Sequence, residues 1–237
     1  MLQMYATRLT LRIIMEHILL IDTSAQKCAI GLVTDGVLVQ SLQHDDQQSQ
    51  AAVINTMIQT LCDTHHFQLA DLSAVAVCSG PGSYTGLRIG LAAAKGIAFA
   101  LNKPLILQHK LEILAQQFIN LNDNYWHYAI LIAARQGEFF FAIYDADMEI
   151  IHTPIHATTD GVRNLLKGLP ASALCIMGDI IAQQTFGSEV QLCQEIDMSY
   201  WAGWAARAFQ TQDFADLASA VPFYMKEVFI YAPRVKE

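Results

Sequence analysis

The segment Gly80-Pro81-Gly82-Ser83-Tyr84-Thr85-Gly86-Leu87-Arg88-Ile89-Gly90 gathers the residue types best placed to do chemistry. Gly and Pro favour a tight turn, and Ser83 can accept from the free amides of a helix's first turn as an N-cap. Amides at a helix start also attract anions. Gly80, Gly82, Ser83 and Thr85 are therefore candidate contacts to an anion or a nucleotide phosphate, with a plain strand-to-helix turn as the alternative. The segment is not a Walker loop, because Lys and Ser/Thr do not follow a G-x-x-x-x-G frame, nor does it read G-x-G-x-x-G. Asp22 ends an apolar run. Its carboxylate could orient a magnesium nucleotide or act as a base, or could cap the glycine-free turn Thr23-Ser24-Ala25-Gln26.

Other polar residues offer less. His152 and His156 are four apart but flank Pro154 in an extended stretch, where roughly 13 Å separates them, too far to share a metal. His65 and His66 follow a helix end and would meet its carbonyls. Arg135 and Glu138 flank a hairpin turn, where they could bind a partner or keep the turn soluble. No Ser/His/Asp or Cys/His constellation can be assembled, so a peptidase reading has no residues to rest on.

The elements that position these residues follow from periodicity. Residues 17 to 43 read as three strands with a hairpin at Asp35-Gly36, where glycine accepts positive φ. Val53, Ile54, Met57, Ile58 and Leu61 recur at helical spacing between Gln48 and Cys62. Leu72 to Ser79 reads as a buried strand, and Tyr84 to Leu101 as a helix stopped by Asn102 and Pro104. The second half repeats the order, with strands at 128–134, 138–144 and 148–152, a helix near 161–167, a strand at 174–177 and a helix at 199–210. Two β-β-β-α-β-α units predict a duplicated α/β fold with mixed sheets, a first domain over 15–108 and a second over 109–237. Residues 1–14 are expected to be a disordered leader.

The helix from Tyr84 carries Gly86, Gly90 and Gly96 among alanines. Each interior glycine costs roughly 1 kcal/mol against alanine, so close backbone approach is the expected reason. The neighbour could be the chain's own sheet or a partner's helix.

With 53% hydrophobic residues the 237-residue chain can build a sizeable core. Five widely spaced cysteines suggest neither a disulfide framework nor a zinc site, and point to a reducing cytoplasm. No apolar run is long enough to span a membrane. Fourteen basic against 22 acidic side chains give a net charge of −8, which argues against direct binding of a phosphate backbone.

The run from Gly80 to Ile106, GPGSYTGLRIGLAAAKGIAFALNKPLI, resembles the signature of the TsaB (YeaZ) family. Leu20-Ile21-Asp22-Thr23-Ser24, Ala134-Arg135-Gln136-Gly137-Glu138 and Pro222-Phe223-Tyr224-Met225-Lys226 are similar to it too. That resemblance implies the fold of the actin, sugar kinase and Hsp70 superfamily. It also implies a non-catalytic subunit of the tRNA threonylcarbamoyladenosine synthase. Such a subunit would pair with the TsaD-like catalytic paralogue, engage the ATPase TsaE and touch tRNA only indirectly. It would self-associate in isolation. The implied contact uses the two first-domain helices, with Val53, Ile54, Met57, Gly86, Arg88, Gly90, Ala93 and Ala94 as candidates. The helix from Gln48 holds no H-x-x-x-H pair, so no metal is expected, and ATP or ADP is expected only where subunits meet. The chain departs from the family with Gln48-Ser49-Gln50 for His-Ser-Glu, and with Gly178-Asp179-Ile180 for Gly-Asp-Gly. An independent nucleotide-dependent enzyme or peptidase of the superfamily is the alternative.

Overall fold

A computed structural model describes residues 15–46, 49–121, 124–193 and 195–224. The leader expected over 1–14, the helix start at Gln48 and the Met225-Lys226 pair of the terminal motif lie outside the described residues.

The first apolar runs form β1 (His17–Asp22), β2 (Cys28–Thr34) and β3 (Val37–His44). Asp35 and Gly36 both take positive φ, 49° and 77°, as a two-residue hairpin turn requires. Then come α1 (Gln50–Thr64), β4 (Ala74–Gly80), α2 (Tyr84–Leu101), β5 (Leu105–His109) and α3 (Lys110–Leu121). Asn102 closes α2 in the left-handed region, its N–H donating to the carbonyls of Ala98 and Phe99.

The second half runs β6 (His127–Ala133), β7 (Glu138–Asp145), β8 (Ile150–Thr158) and α4 (Thr159–Leu166). It ends with β9 (Leu174–Gly178), α5 (Ile180–Phe186), β10 (Val190–Leu192) and α6 (Met198–Gln210).

The two sheets have the same strand order, β3-β2-β1-β4-β5 and β8-β7-β6-β9-β10. In each, an antiparallel meander is extended by parallel strands. This is the duplicated actin-like α/β fold expected from the sequence, with one difference. Each unit is longer by a strand and a helix, β5-α3 in the first and α5-β10 in the second, while α6 is the helix expected at 199–210. The boundary expected between residues 108 and 109 falls at the end of β5, which passes directly into α3.

Burial explains the layering. Alternate residues of β1 face opposite ways: Leu19 and Ile21 pack with Ile54, Leu61, Leu91 and Ala98 of α1 and α2. Ile18 and Leu20 join Leu111 and Phe118 of α3 and Trp201 and Ala205 of α6, together with Tyr128 and Ile130 of β6. Thus α3 and α6 form a middle layer between the sheets. Leu131, Phe141, Val162 and Ala182 make a third core under α4 and α5. The middle layer holds one buried polar knot, in which Trp201 Nε1–H donates to Gln108 Oε1 at 2.6 Å and Gln108 Nε2 donates to the Trp204 carbonyl at 3.2 Å. Among the described residues no helix is long and apolar enough to cross a membrane.

Parallel strands β1, β4 and β5 end together, so Asp22, Gly80 and His109 arrive at one edge of the first sheet. In open α/β sheets this carboxyl edge is where ligands bind.

Candidate functional site: the turn, the glycine helix and its outer ridge

At that edge the chain has filled the space with itself. The turn after β1 lies directly on α2: a Cβ at Gly82 would overlap the Ser24 carbonyl oxygen, one at Gly86 the Thr23 carbonyl oxygen, and one at Gly90 the Thr23 hydroxyl. Thr23 is fully buried and its Oγ1–H donates to the Gly86 carbonyl at 2.7 Å. The neighbour that required Gly86 and Gly90 is therefore the chain's own first turn. Gly96 has open space around it.

The candidate anion contacts are used within this packing. Asp22 Oδ1 accepts from the Ser24 amide at 2.8 Å, so its carboxylate caps the turn. Ser83 Oγ accepts from the Gly86 amide at 3.2 Å as the N-cap, and the Ser83 amide donates to the Ser24 carbonyl at 2.7 Å. Gly80 takes φ +113°. Thr85 is exposed on the first turn of α2. A nucleotide phosphate, which the actin-like fold implies, does not fit between the turn and α2. Two carbonyl oxygens occupy that approach, and a carbonyl repels a phosphate oxygen. Gln50, buried at the start of α1, ties down the rest of the turn, its Nε2 donating to the Ala25 and Gln26 carbonyls at 3.2 Å each.

A C-terminal strap starts beside the first residue of β5 and reaches this edge at Phe223. Ala215 N–H donates to the Leu105 carbonyl at 2.8 Å, and Lys95 Nζ donates to the Ala218 and Ala220 carbonyls at 3.5 and 3.1 Å. Phe223 N–H then donates to the Ser79 carbonyl at 2.8 Å, with the Phe223 ring edge-on to His109 at 4.2 Å. The PFY part of the terminal motif thus has a structural role. His109 is buried, and neither ring nitrogen has a hydrogen-bond partner among the described residues.

Burial pushes the His109 imidazole down to about 4. The folded state prefers it neutral, so the stability this contributes is complete above the unfolded value near 6.5 and is lost as pH falls towards 4. Urea melts are expected to show about 3 kcal/mol of destabilisation between pH 7 and pH 4 from this group. His109→Phe should flatten that dependence. An unchanged pH profile in the variant would assign the acid sensitivity elsewhere.

The expected interface residues divide by face. Ile54, Met57, Gly86, Gly90 and Ala94 are buried within the protomer and offer little surface to a partner, where the sequence reading had set them at the contact. Apolar helical spacing marks the face a helix gives to its own core. Val53 and Ala93 are half-buried, and Arg88 is exposed. The outward surface includes Ala51, Ala52, Asn55, Thr56, Gln59, Thr60 and Asp63 on α1, with Arg88, Ala92, Gly96, Phe99 and Ala100 on α2. Phe99 is 80% exposed. On α2, Ala92, Gly96 and Ala100 set small uncharged side chains beside the projecting Phe99, a ridge that is easily dehydrated.

The remaining candidates are scattered. His152 and His156 both lie on β8, an edge strand that tolerates Pro154. His156 Nε2 sits 3.1 Å from Glu138 Oε2, and His152 Nδ1 is 2.9 Å from the Thr153 carbonyl oxygen. His65 caps α1 through its backbone, but its ring meets Gln40 Oε1 at 2.7 Å rather than a helix carbonyl. Arg135 begins the β6–β7 turn. The departure at Gly178-Asp179-Ile180 is structural: Asp179 accepts from the Ala133 amide at 2.7 Å and the Ala182 amide at 2.9 Å, pinning α5 to β6. The five cysteines are free. Burial pushes the thiols of Cys28 and Cys78 up to about 11 and about 12, which makes them poor nucleophiles.

Comparison with known proteins gives these arrangements a setting. The family model described as TsaD, tRNA N6-adenosine threonylcarbamoyltransferase, matches residues 45–236. The Escherichia coli tRNA threonylcarbamoyladenosine biosynthesis protein TsaB is 32% identical over 131 residues, 55% of this chain and 56% of that protein. The Bacillus subtilis TsaB protein is 30% identical over 131 residues, 54% of each chain. The chain thus spans about half the length of these curated relatives. Among solved structures, an uncharacterised Pseudomonas aeruginosa protein with similarity to peptidase YeaZ superposes with a TM-score of 0.77 at 22% identity. That match covers 90% of this chain and 100% of the other, and speaks for the fold.

Proposed function

This chain belongs to the threonylcarbamoyltransferase family and, within it, to the TsaB (YeaZ) group, and on that premise we propose that it is a non-catalytic partner subunit in tRNA threonylcarbamoyladenosine biosynthesis. In this reading it binds and activates a TsaD-like catalytic chain and works with the ATPase TsaE. It meets tRNA only through those subunits, and ATP or ADP chemistry belongs to them.

The observation that carries the reading is the division of labour in α1 and α2. Their inner faces are consumed by the core and by the Thr23–Ser24 turn, yet α2 keeps an outward ridge of Ala92, Gly96 and Ala100 with Phe99 projecting from it, and α1 exposes Ala51, Ala52, Asn55 and Thr56. Such a face is costly to leave in water and suits a helical partner. In the absence of the catalytic chain, the same ridge would pair two copies of this one.

The test is reconstitution from purified components. With tRNA, ATP and threonylcarbamoyl adenylate as the group donor in every reaction, threonylcarbamoyladenosine measured by nucleoside mass spectrometry is expected only when this chain, the catalytic chain and the ATPase are combined. Modification at full rate without this chain, or by this chain alone, would contradict the proposal.

A further inference from the structure

One side chain at the edge of the ridge is held in a manner its fold does not require. Arg88 is exposed on α2, yet its guanidinium carbon lies 4.1 Å from the Tyr84 ring centroid and 5.9 Å from that of Tyr224. Its Nε–H donates to Tyr224 Oη at 2.9 Å. The two rings lie 5.1 Å apart, inclined by 33°. An exposed arginine ordinarily samples many rotamers, and fixing one costs entropy that a surface contact seldom recovers. Here two aromatic rings and one hydrogen bond hold the stem and the Nε edge. The two terminal nitrogens have no hydrogen-bond partner among the described residues, and no described carboxylate pairs with Arg88.

The surroundings restrict what those nitrogens could take. Helix α2 carries Arg88 and Lys95 and no acidic residue, in a chain with 22 acidic and 14 basic side chains. Beside Arg88 along the ridge stand Ala92, Gly96 and Phe99, an apolar surface that suits a protein more than a phosphate backbone. The net charge of −8 also repels a polyanion. A guanidinium with both terminal nitrogens free matches a carboxylate, which it grips through two parallel N–H bonds.

We propose that Arg88, clamped between Tyr84 and Tyr224, is the charged anchor of the partner surface and receives an Asp or Glu side chain of the catalytic chain. The inference rests on the partner-subunit reading. It makes Tyr224 a positioning residue, so the C-terminal strap sets partner affinity through the pose of a residue distant from it in sequence. Binding energy improves when the anchor is ordered beforehand, because less freedom is lost on association.

The test is calorimetric titration of the full chain with the catalytic threonylcarbamoyltransferase chain of the same genome, with thermal melts to confirm that each variant is folded. Arg88→Ala is expected to weaken binding about 30-fold or more, and Arg88→Lys about 10-fold, since an ammonium cannot fork a carboxylate. Tyr224→Phe keeps the ring and removes only the oxygen, and should weaken binding about 5-fold. It should add nothing in an Arg88→Ala background, a non-additivity that a merely structural role would not produce. Arg88→Ala should also flatten the salt dependence of binding. Wild-type affinity in folded Arg88→Ala and Tyr224→Phe variants would overturn the anchor while leaving the partner-subunit reading intact. Failure of the unaltered chain to bind would remove both.

Discussion

Gly86→Ala is expected to lower the melting temperature by about 6 to 12 °C, the effect of roughly 3 kcal/mol in a chain of this size. The added methyl would meet the Thr23 carbonyl oxygen and crowd Gln50 Oε1. The carbonyl belongs to backbone fixed on one side by β1 and on the other by the Thr23 hydroxyl bond to Gly86. Neither the turn nor the helix can withdraw without breaking that bond. Gly90→Ala should cost less, because it meets the Thr23 side chain rather than a main-chain carbonyl. Gly96→Ala supplies the control. It lies on the same helix with nothing near it, so removal of a glycine should stabilise by about 0.5 to 1 kcal/mol. If all three substitutions raised stability equally, the close approach of turn and helix would be wrong.

Gly96→Arg should do the reverse: leave folding within about 0.5 kcal/mol and abolish association with the catalytic chain at micromolar concentration, a loss of about 100-fold or more. A long charged side chain placed beside Ala92, Phe99 and Ala100 would hold two helical surfaces apart and bring an unpaired charge into an apolar contact. Pull-down and size exclusion read the association, and a thermal melt reads the fold. Retained binding in a folded Gly96→Arg variant would move the interface off the ridge. The pair Gly86→Ala and Gly96→Arg separates the two uses of one helix, since the first should damage the protomer and the second only its pairing.

Much of the architecture was legible because punctuation and periodicity agreed. Asp35-Gly36 marked a hairpin, Asn102 with Pro104 closed α2, and a short apolar run bounded by polar residues revealed β1. The elements that escaped notice lack such marks. Strand β5 passes into α3 from His109 to Lys110 with no turn residue between them, so the helix read as connection. Helix α5 spans seven residues and β10 three, too short for a period to show.

The site was legible in kind and not in detail. Glycines in α2 announced a close neighbour, yet that neighbour, Thr23, lies 63 residues away from Gly86, and nothing local connects the two. The resemblance names two helices as the contact without saying which face of each is turned outward, and the apolar spacing of Ile54 and Met57 is the signal of a buried face. Phe99 apart, the outward residues are mostly alanines, glycine, threonine and asparagine, which carry almost no pattern. Similarly, the terminal PFY could be matched to a family motif but not to His109 and Arg88, which only the folded strap brings within reach.

The most direct test of the central claim is size exclusion with light scattering on this chain alone, then mixed with the catalytic chain. The account predicts that excess catalytic chain converts any self-associated form into a stable one-to-one heterodimer, and that Gly96→Arg prevents it. A chain that keeps its own mass in the mixture, whether one copy or two, would contradict the partner-subunit account.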